Sequence, residues 1–294
     1  VPTLAQYRRS VEAALDDGGV YQLSSGSGTG GAASALSDAT TNASASRYNG
    51  AWVYLATGAG TGQQRRIRND SLTPSTGAFL TELGWTVPAA GDEIEITHLF
   101  PCVFGPDFSG GVGPEDTSYL ILVNHTLAQL WAPDRVSLAF AGTATASTSA
   151  WPWLDHPDRL VRVLEPAPVA GFPVVSCAWR NPQLILDGPT PVLQLNRPFT
   201  GTLILEVKRP GHTLISGAES MAGLASEGQT ALPSVEDVTV GALAQAYRAL
   251  MNRSPGRPHP GADKKYADAR EQFESLYYYD RTRFARQQPQ PEAA

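Results

Sequence analysis

TGAGTGQQRRIRND, residues 57–70, alternates Gly58, Gly60 and Gly62 and then runs into Gln63, Gln64, Arg65 and Arg66. It has the outline of a phosphate-binding loop, and the sequence on either side decides against that. Before it, AWVYLATG alternates Trp52 and Tyr54 with Val53 and Leu55, the period of a half-buried strand. After it, Gln64, Arg66 and Arg68 alternate with Arg65, Ile67 and Asn69, so a second strand follows. A dinucleotide or phosphate loop needs a helix N-terminus behind its glycines, where unpaired N–H groups face the anion. Here the glycines join strand to strand. Gly58, Gly60 and Gly62 read as a hairpin tip that tolerates positive φ, and no cofactor is expected.

Working outward, GAFLTELGWTV and DEIEITHLF are further strands split by PAAGD, which makes residues 19–100 a β module. Residues 24–46 inside it are almost all Ser, Gly, Ala and Thr, a composition that buries too little apolar surface to order itself, so a long mobile loop is expected. Its GSGTGG lacks the lysine of a P-loop. Residues 1–18 read as an N-terminal helix: Pro2 and Thr3 open it, Gly18 and Gly19 close it, and Leu4, Tyr7, Val11, Ala14 and Leu15 form one stripe.

Residues 101–232 are expected to hold one helix and an antiparallel sandwich. FGPDFSGGVGPED is a flexible entry, and TSYLILVNHTLAQLW is helical, with Leu120, Val123, Asn124, Leu127 and Leu130 or Trp131 on one face. Asp116 or Thr117 caps it and Pro133 stops it. WPWLDHP is read as a strand, and RLVRVLEP, FPVVSCAWR, QLILDGPTPVLQLN and GTLILEVKRPG add four or five short strands. Residues 233–294 are expected to form a helical hairpin or arm with a disordered tail. VEDVTVGALAQAYRALMNR is one helix and SPGRPHPGAD breaks it. The second helix starts at Lys264, carries Tyr266, Ala269, Phe273, Leu276, Tyr277 and Phe284 on a broad stripe, and ends in Arg281, Arg283 and Arg286. The fold class expected is α+β: an antiparallel sandwich or barrel-like core with flanking helices and a C-terminal helical arm.

Composition and site chemistry narrow the function. With 42 % hydrophobic and 17 % charged residues the chain is neither disordered nor a coiled coil. A net charge of −6 argues against DNA binding through the whole surface and leaves only local basic patches. The longest apolar run, Tyr119 to Val123, is far too short for a membrane span, and no signal-peptide layout is present, so a soluble protein is expected. Cys102 and Cys177 have no CxxC partner and read as two buried thiols, with a disulfide as the alternative. His125 has no second ligand on its helix. Asp155 and His156 are adjacent, and on a strand they would point to opposite faces. Gly217 to Ser220 is not a nucleophile elbow. No catalytic, metal or cofactor residue is assigned, and the chain is expected not to be an enzyme.

GTGQQRRIRNDSLTPSTGAFLTELGWTVPAAGDEIEI resembles a module of tailed-bacteriophage virion proteins, a Gly-rich turn before a Gln-Arg strand, then a Trp strand and a Pro-Ala-Gly-Asp turn, over residues 48–100. The Trp-Pro-Trp-Leu run, the Asp-Gly turn at 187–188 and the Phe-Thr-Gly-Thr-Leu strand are similar to a phage neck-protein domain with a helix before its sheet. The resemblance implies a non-enzymatic virion structural protein, a ring-forming head–tail adaptor (neck) subunit. It would link portal to tail at the head–tail junction, after assembly in the host cytoplasm. It implies as partners a homo-oligomeric, twelvefold ring, the portal protein and further neck or tail proteins, with genomic DNA passing through the lumen without sequence-specific binding and no membrane. On this reading the portal or partner interface is Tyr266, Phe273, Leu276, Tyr277, Arg281, Arg283, Phe284 and Arg286, a basic, aromatic helix suited to a partner's groove. The alternative is a tail or baseplate protein whose sandwich grips carbohydrate or a receptor, with Trp151, Trp153 and Trp179 as its stacking platform.

Overall fold

The computed structural model describes residues 1–25, 34–36, 46–71, 73, 78–82, 89–103, 117–165, 175–186, 191–211, 223–253 and 261–286. The expected turns and hinges at 104–116, 187–188 and 254–260 lie outside these residues, as does most of the Ser/Gly/Ala loop.

Helix α1 (Leu4–Ala14) starts where Thr3 and Gln6 form a reciprocal capping box, each side chain bonding the other's backbone N–H. The first sheet follows, built of β1 (Gly19–Ser25), β2 (Ser34–Leu36), β3 (Trp52–Leu55), β4 (Gln64–Arg66), β5 (Ala78–Phe79) and β6 (Glu93–Thr97). β2 falls inside the stretch expected to be loop. The strand order is β4-β3-β6-β1-β2-β5, with every pair antiparallel. β3 and β4 pair Trp52 with Arg66 and Tyr54 with Gln64, so residues 56–63 are a hairpin connection, as the flanking alternation requires.

Helix α2 (Tyr119–Gln129) is capped by Ser118, whose hydroxyl accepts the Ile121 N–H; Asp116 lies outside the described residues. Pro133 does not sit in a stop. α2 ends at Gln129, and Pro133 lies inside β7 (Trp131–Ser147), opposite Lys208. A proline without an N–H is tolerated there because it is on an edge strand. The second sheet adds β8 (Leu160–Glu165), β9 (Val175–Ser176), β10 (Gln183–Ile185) and β11 (Val192–Pro210). β11 merges two expected short strands into one of 19 residues and pairs with β7 from Pro210–Trp131 to Val192–Ser147. WPWLDHP is not a strand: it turns at 152–153 and enters a 3-10 turn, Pro157–Arg159, with proline in its first turn. Helices α3 (Val235–Arg253) and α4 (Ala262–Arg286) close the chain.

The fold is α+β, with two antiparallel sheets and four α-helices among the described residues. Each layer has its own apolar core. Val53, Ile67, Phe79, Ile94 and Ile96 line the first sheet, and Leu138, Trp153, Val163, Leu193 and Leu205 the second. The third core joins α1, α2 and α3 through Tyr7, Val11, Leu122, Leu127, Val238 and Ala242. Thus α2, expected beside the sandwich, shares its core with α1 and α3. Tyr7 donates to the carbonyls of Ala231 and Pro233, at 2.9 and 2.6 Å, tying α1 to the approach to α3.

Candidate functional site

Two concentrations of chemistry stand out, and they behave differently. The first is internal. On α1, Arg8 and Glu12 are one turn apart and face the same way. They face β6, where EIEIT turns Ile94 and Ile96 into the sheet's own core and Glu95 and Thr97 onto the opposite face. Both faces of β6 are therefore buried. Arg8, with no exposed surface, donates Nη1 to Glu12 Oε1 at 2.6 Å and to Glu95 Oε2, and its Nε reaches Glu227 Oε1 at 3.3 Å. Its guanidinium carbon lies 4.8 Å above the Tyr54 ring, while Tyr54 donates its hydroxyl to the same Glu227 oxygen at 3.0 Å. Arg9 takes the other oxygen of Glu95 at 2.7 Å.

Burial, opposed by Arg8 and reinforced by Glu95, pushes the Glu12 carboxyl up to about 8. Burial also raises the Cys102 thiol well above its usual range, with Glu12 and Glu95 adding to it, so Cys102 stays a thiol. Asp17 completes the network: it accepts the backbone N–H groups of His98 and Leu99, at 2.7 and 2.9 Å, and the Tyr119 hydroxyl at 2.5 Å. Glu12, Glu95 and Cys102 place three potential ligand atoms within 4.8 Å of one another. Metal chemistry does not follow, because Arg8 already occupies an oxygen of each carboxyl and places its positive charge where a cation would have to stand. The cluster is an internal clamp between α1 and β6. In the sequence Arg8 and Glu12 carry no signal beyond an i, i+4 ion pair beside an apolar stripe.

The second concentration is a cleft of about 570 Å³ between α2, α3 and α4. Its aromatic surface is Trp131, Tyr266 and Phe273, and its polar rim includes Gln129, Gln245, Arg248 and Arg270. Tyr266, Arg270 and Phe273 recur at four and three residues, which puts them on one face of α4. Arg270 donates to Glu274 at 2.7 Å, and the Arg159 guanidinium lies 4.8 Å over the Trp131 ring. Tyr266 and Phe273, two residues of the expected interface, thus line one cleft. Phe273 also packs against the helical core, so its ring has an intramolecular partner. α4 packs along α3 over this stretch and does not hang free. Leu276, Tyr277, Arg281, Arg283, Phe284 and Arg286 continue α4 in backbone, and their side chains lie outside the described residues.

The remaining expectations separate residue by residue. Gly58 and Gly62 adopt φ of 90° and 92° at the hairpin tip, but Gly60 does not take a left-handed φ. The Gly60 carbonyl accepts the Gln63 N–H at 3.1 Å, which makes Gly62 the position of that turn needing positive φ. Cys102 and Cys177 are unpaired and buried. Asp155 pairs with Arg159, whereas His156 accepts the Asp158 N–H at 3.3 Å, so they serve different partners. His125 is exposed. Trp153 is only 1 % exposed, with Arg209 5.6 Å over its ring, and Trp151 packs against the same core; the Trp179 side chain lies outside the described residues. Comparison with known protein families, with curated proteins and with solved structures returned no match.

Proposed function

We propose that the chain is a non-enzymatic virion structural protein, a ring-forming head–tail adaptor subunit that docks on a portal through its C-terminal helical hairpin. The observation that carries this reading is the cleft on α3 and α4. It combines Trp131 and Tyr266 with Arg248 and Arg270, a mixture of aromatic anchor and arginine that suits a protein partner. The clustered acids of α1 and β6, by contrast, are engaged with Arg8 and Arg9 inside the protein and offer nothing to a substrate. The β3–β4 hairpin, within the stretch that resembles phage modules, agrees with this assignment. A sugar-binding sandwich loses support because Trp153 is buried in the second sheet's core.

The test is localisation. Gold labelling of a tagged copy in intact particles is expected to mark the head–tail junction. Label along the tail or at its tip would favour the baseplate alternative, and particles without label would defeat the virion reading. In mixtures with purified portal rings, Tyr266→Ala and Arg248→Glu are expected to weaken association while leaving thermal unfolding unchanged.

A further inference from the structure

β7 is 17 residues long, against about five or six for an average strand. One side of it is paired with β11 along its length; among the described residues no strand pairs with the other side. Such an edge presents a row of unpaired N–H and C=O groups, and proteins usually blunt it with charge, proline, a bulge or brevity. β7 has those devices at its beginning, in Pro133, Asp134 and Arg135. From Val136 to Ala150 there is no charged residue and no proline. Over Val136–Ala141 the ladder with β11 runs without a register shift, and the irregularity comes only afterwards, near Gly142 with φ of 78°. In the first sheet the end strands meet, since the Arg68 N–H bonds the Leu80 carbonyl and the Glu82 N–H the Arg66 carbonyl, and the end strands β9 and β10 of the second sheet are two and three residues long.

We propose that β7 is where two copies of this chain join, β7 against β7, antiparallel about a two-fold axis, so that the second sheet continues from one copy into the next. An isologous contact needs a patch that complements itself. β7 is such a patch, because it is the one described edge long enough to match β7. Ser137, Ala139 and Ala141 are small and exposed, so two copies can approach to ladder distance with no like charges opposed. A foreign peptide would find no charge on this edge to be selected by, whereas strand addition between identical edges uses main-chain bonds alone. The inference concerns the free chain in solution and stands apart from the portal reading.

Sedimentation velocity of the full chain across the micromolar range is expected to show a species of twice 31.3 kDa. The double variant Ala139→Lys/Ala141→Lys sets four cations about the axis and is expected to weaken the dimer by roughly tenfold or more, with a melting temperature equal to that of the unmodified chain when both are diluted to monomer. If that variant fails to fold, Ser137→Lys takes its place. Hydrogen exchange on the unmodified chain is expected to slow at Val136–Ala141 as concentration rises. A monomer throughout the range, a dimer indifferent to the lysines, or protection that maps to α4 or the β3–β4 hairpin would each overturn the proposal.

Discussion

Phe273 of α4 fits over Gly241 of α3: a methyl group built on Gly241 would stand 2.5 Å from Phe273 Cε2. It would also strike Cγ2 of Thr126 on α2, whose hydroxyl is fixed to the Leu122 carbonyl at 2.9 Å. Three helices thus converge on a residue without a side chain. Gly241→Ala gains about 1 kcal/mol of helix propensity, but overpacking at such a junction costs about 1–3 kcal/mol, so net destabilisation is expected. Urea unfolding measures it. Phe273→Leu in the same background should recover part of the loss, and strictly additive effects of the two substitutions would show that the ring is not what the methyl meets.

Stability should fall as pH rises from about 5 to about 8.5, because Glu12 has its folded pKa raised to about 8 from an ordinary 4.5. In that window the folded state holds a proton that the unfolded state has released. The contribution is complete below the unfolded value and is lost as pH passes the folded one. The groups facing Glu12 are Arg8 on its own helix, Glu95 on β6, Cys102 and Asp17. Glu12→Gln should flatten the slope, by an amount on the order of a few kcal/mol between the two ends of the window. Melting curves of both proteins at several pH values compare the slopes, and equal slopes would remove Glu12 as their source.

Arg8 is the hub of the same network, and its loss leaves Glu12 and Glu95 buried with half their compensation. Arg8→Met keeps most of the volume and should still cost about 3–5 kcal/mol. Adding Glu95→Gln to it should return part of that, since the charge left without Arg8 is then removed. A chemical-denaturation cycle over the four proteins reads the coupling, and a small cost for Arg8→Met would mean that water, not Arg8, satisfies these carboxylates.

Parts of this architecture are plain in the sequence. The stripe Leu4, Tyr7 and Val11 has a period that only a helix satisfies, and all three are buried. Trp52 to Leu55 and Gln64 to Arg66 announce a hairpin because their alternation flanks glycines. β7 is less legible, since the alternation of Val136, Leu138 and Phe140 is brief and then fades into Ala, Thr and Ser, residues that as easily form a loop. Pro133 also reads as a helix stop until β11 is known to lie beside it. The clamp is hidden for another reason. An Arg and a Glu one turn apart look like a solvated face, and the second acceptor of the buried guanidinium, Glu95, arrives from 87 residues beyond Arg8. The cleft depends likewise on helices far apart in the chain, so its members Trp131 and Arg248 carry no local signature.

The glycines at the β3–β4 tip should not be equivalent. Gly62, with φ of 92°, has no atom within 4 Å of where a methyl would stand, so Gly62→Ala meets only backbone strain, on the order of 1 kcal/mol. Gly58 has φ of 90° and a methyl there would come within 2.5 Å of Asp92 Oδ1. Asp92 cannot simply swing aside, because its Oδ2 accepts the Ala89 N–H at 2.7 Å and so holds the turn before β6. Gly58→Ala should therefore lower the melting temperature more than Gly62→Ala. Neither change should alter nucleotide affinity, because the glycines lead into β4 and no helix N-terminus stands behind them to receive a phosphate. Calorimetric titration of the unmodified protein with ATP, GTP and NAD should be flat. Binding that disappears in Gly58→Ala would return residues 57–70 to the class of phosphate loops.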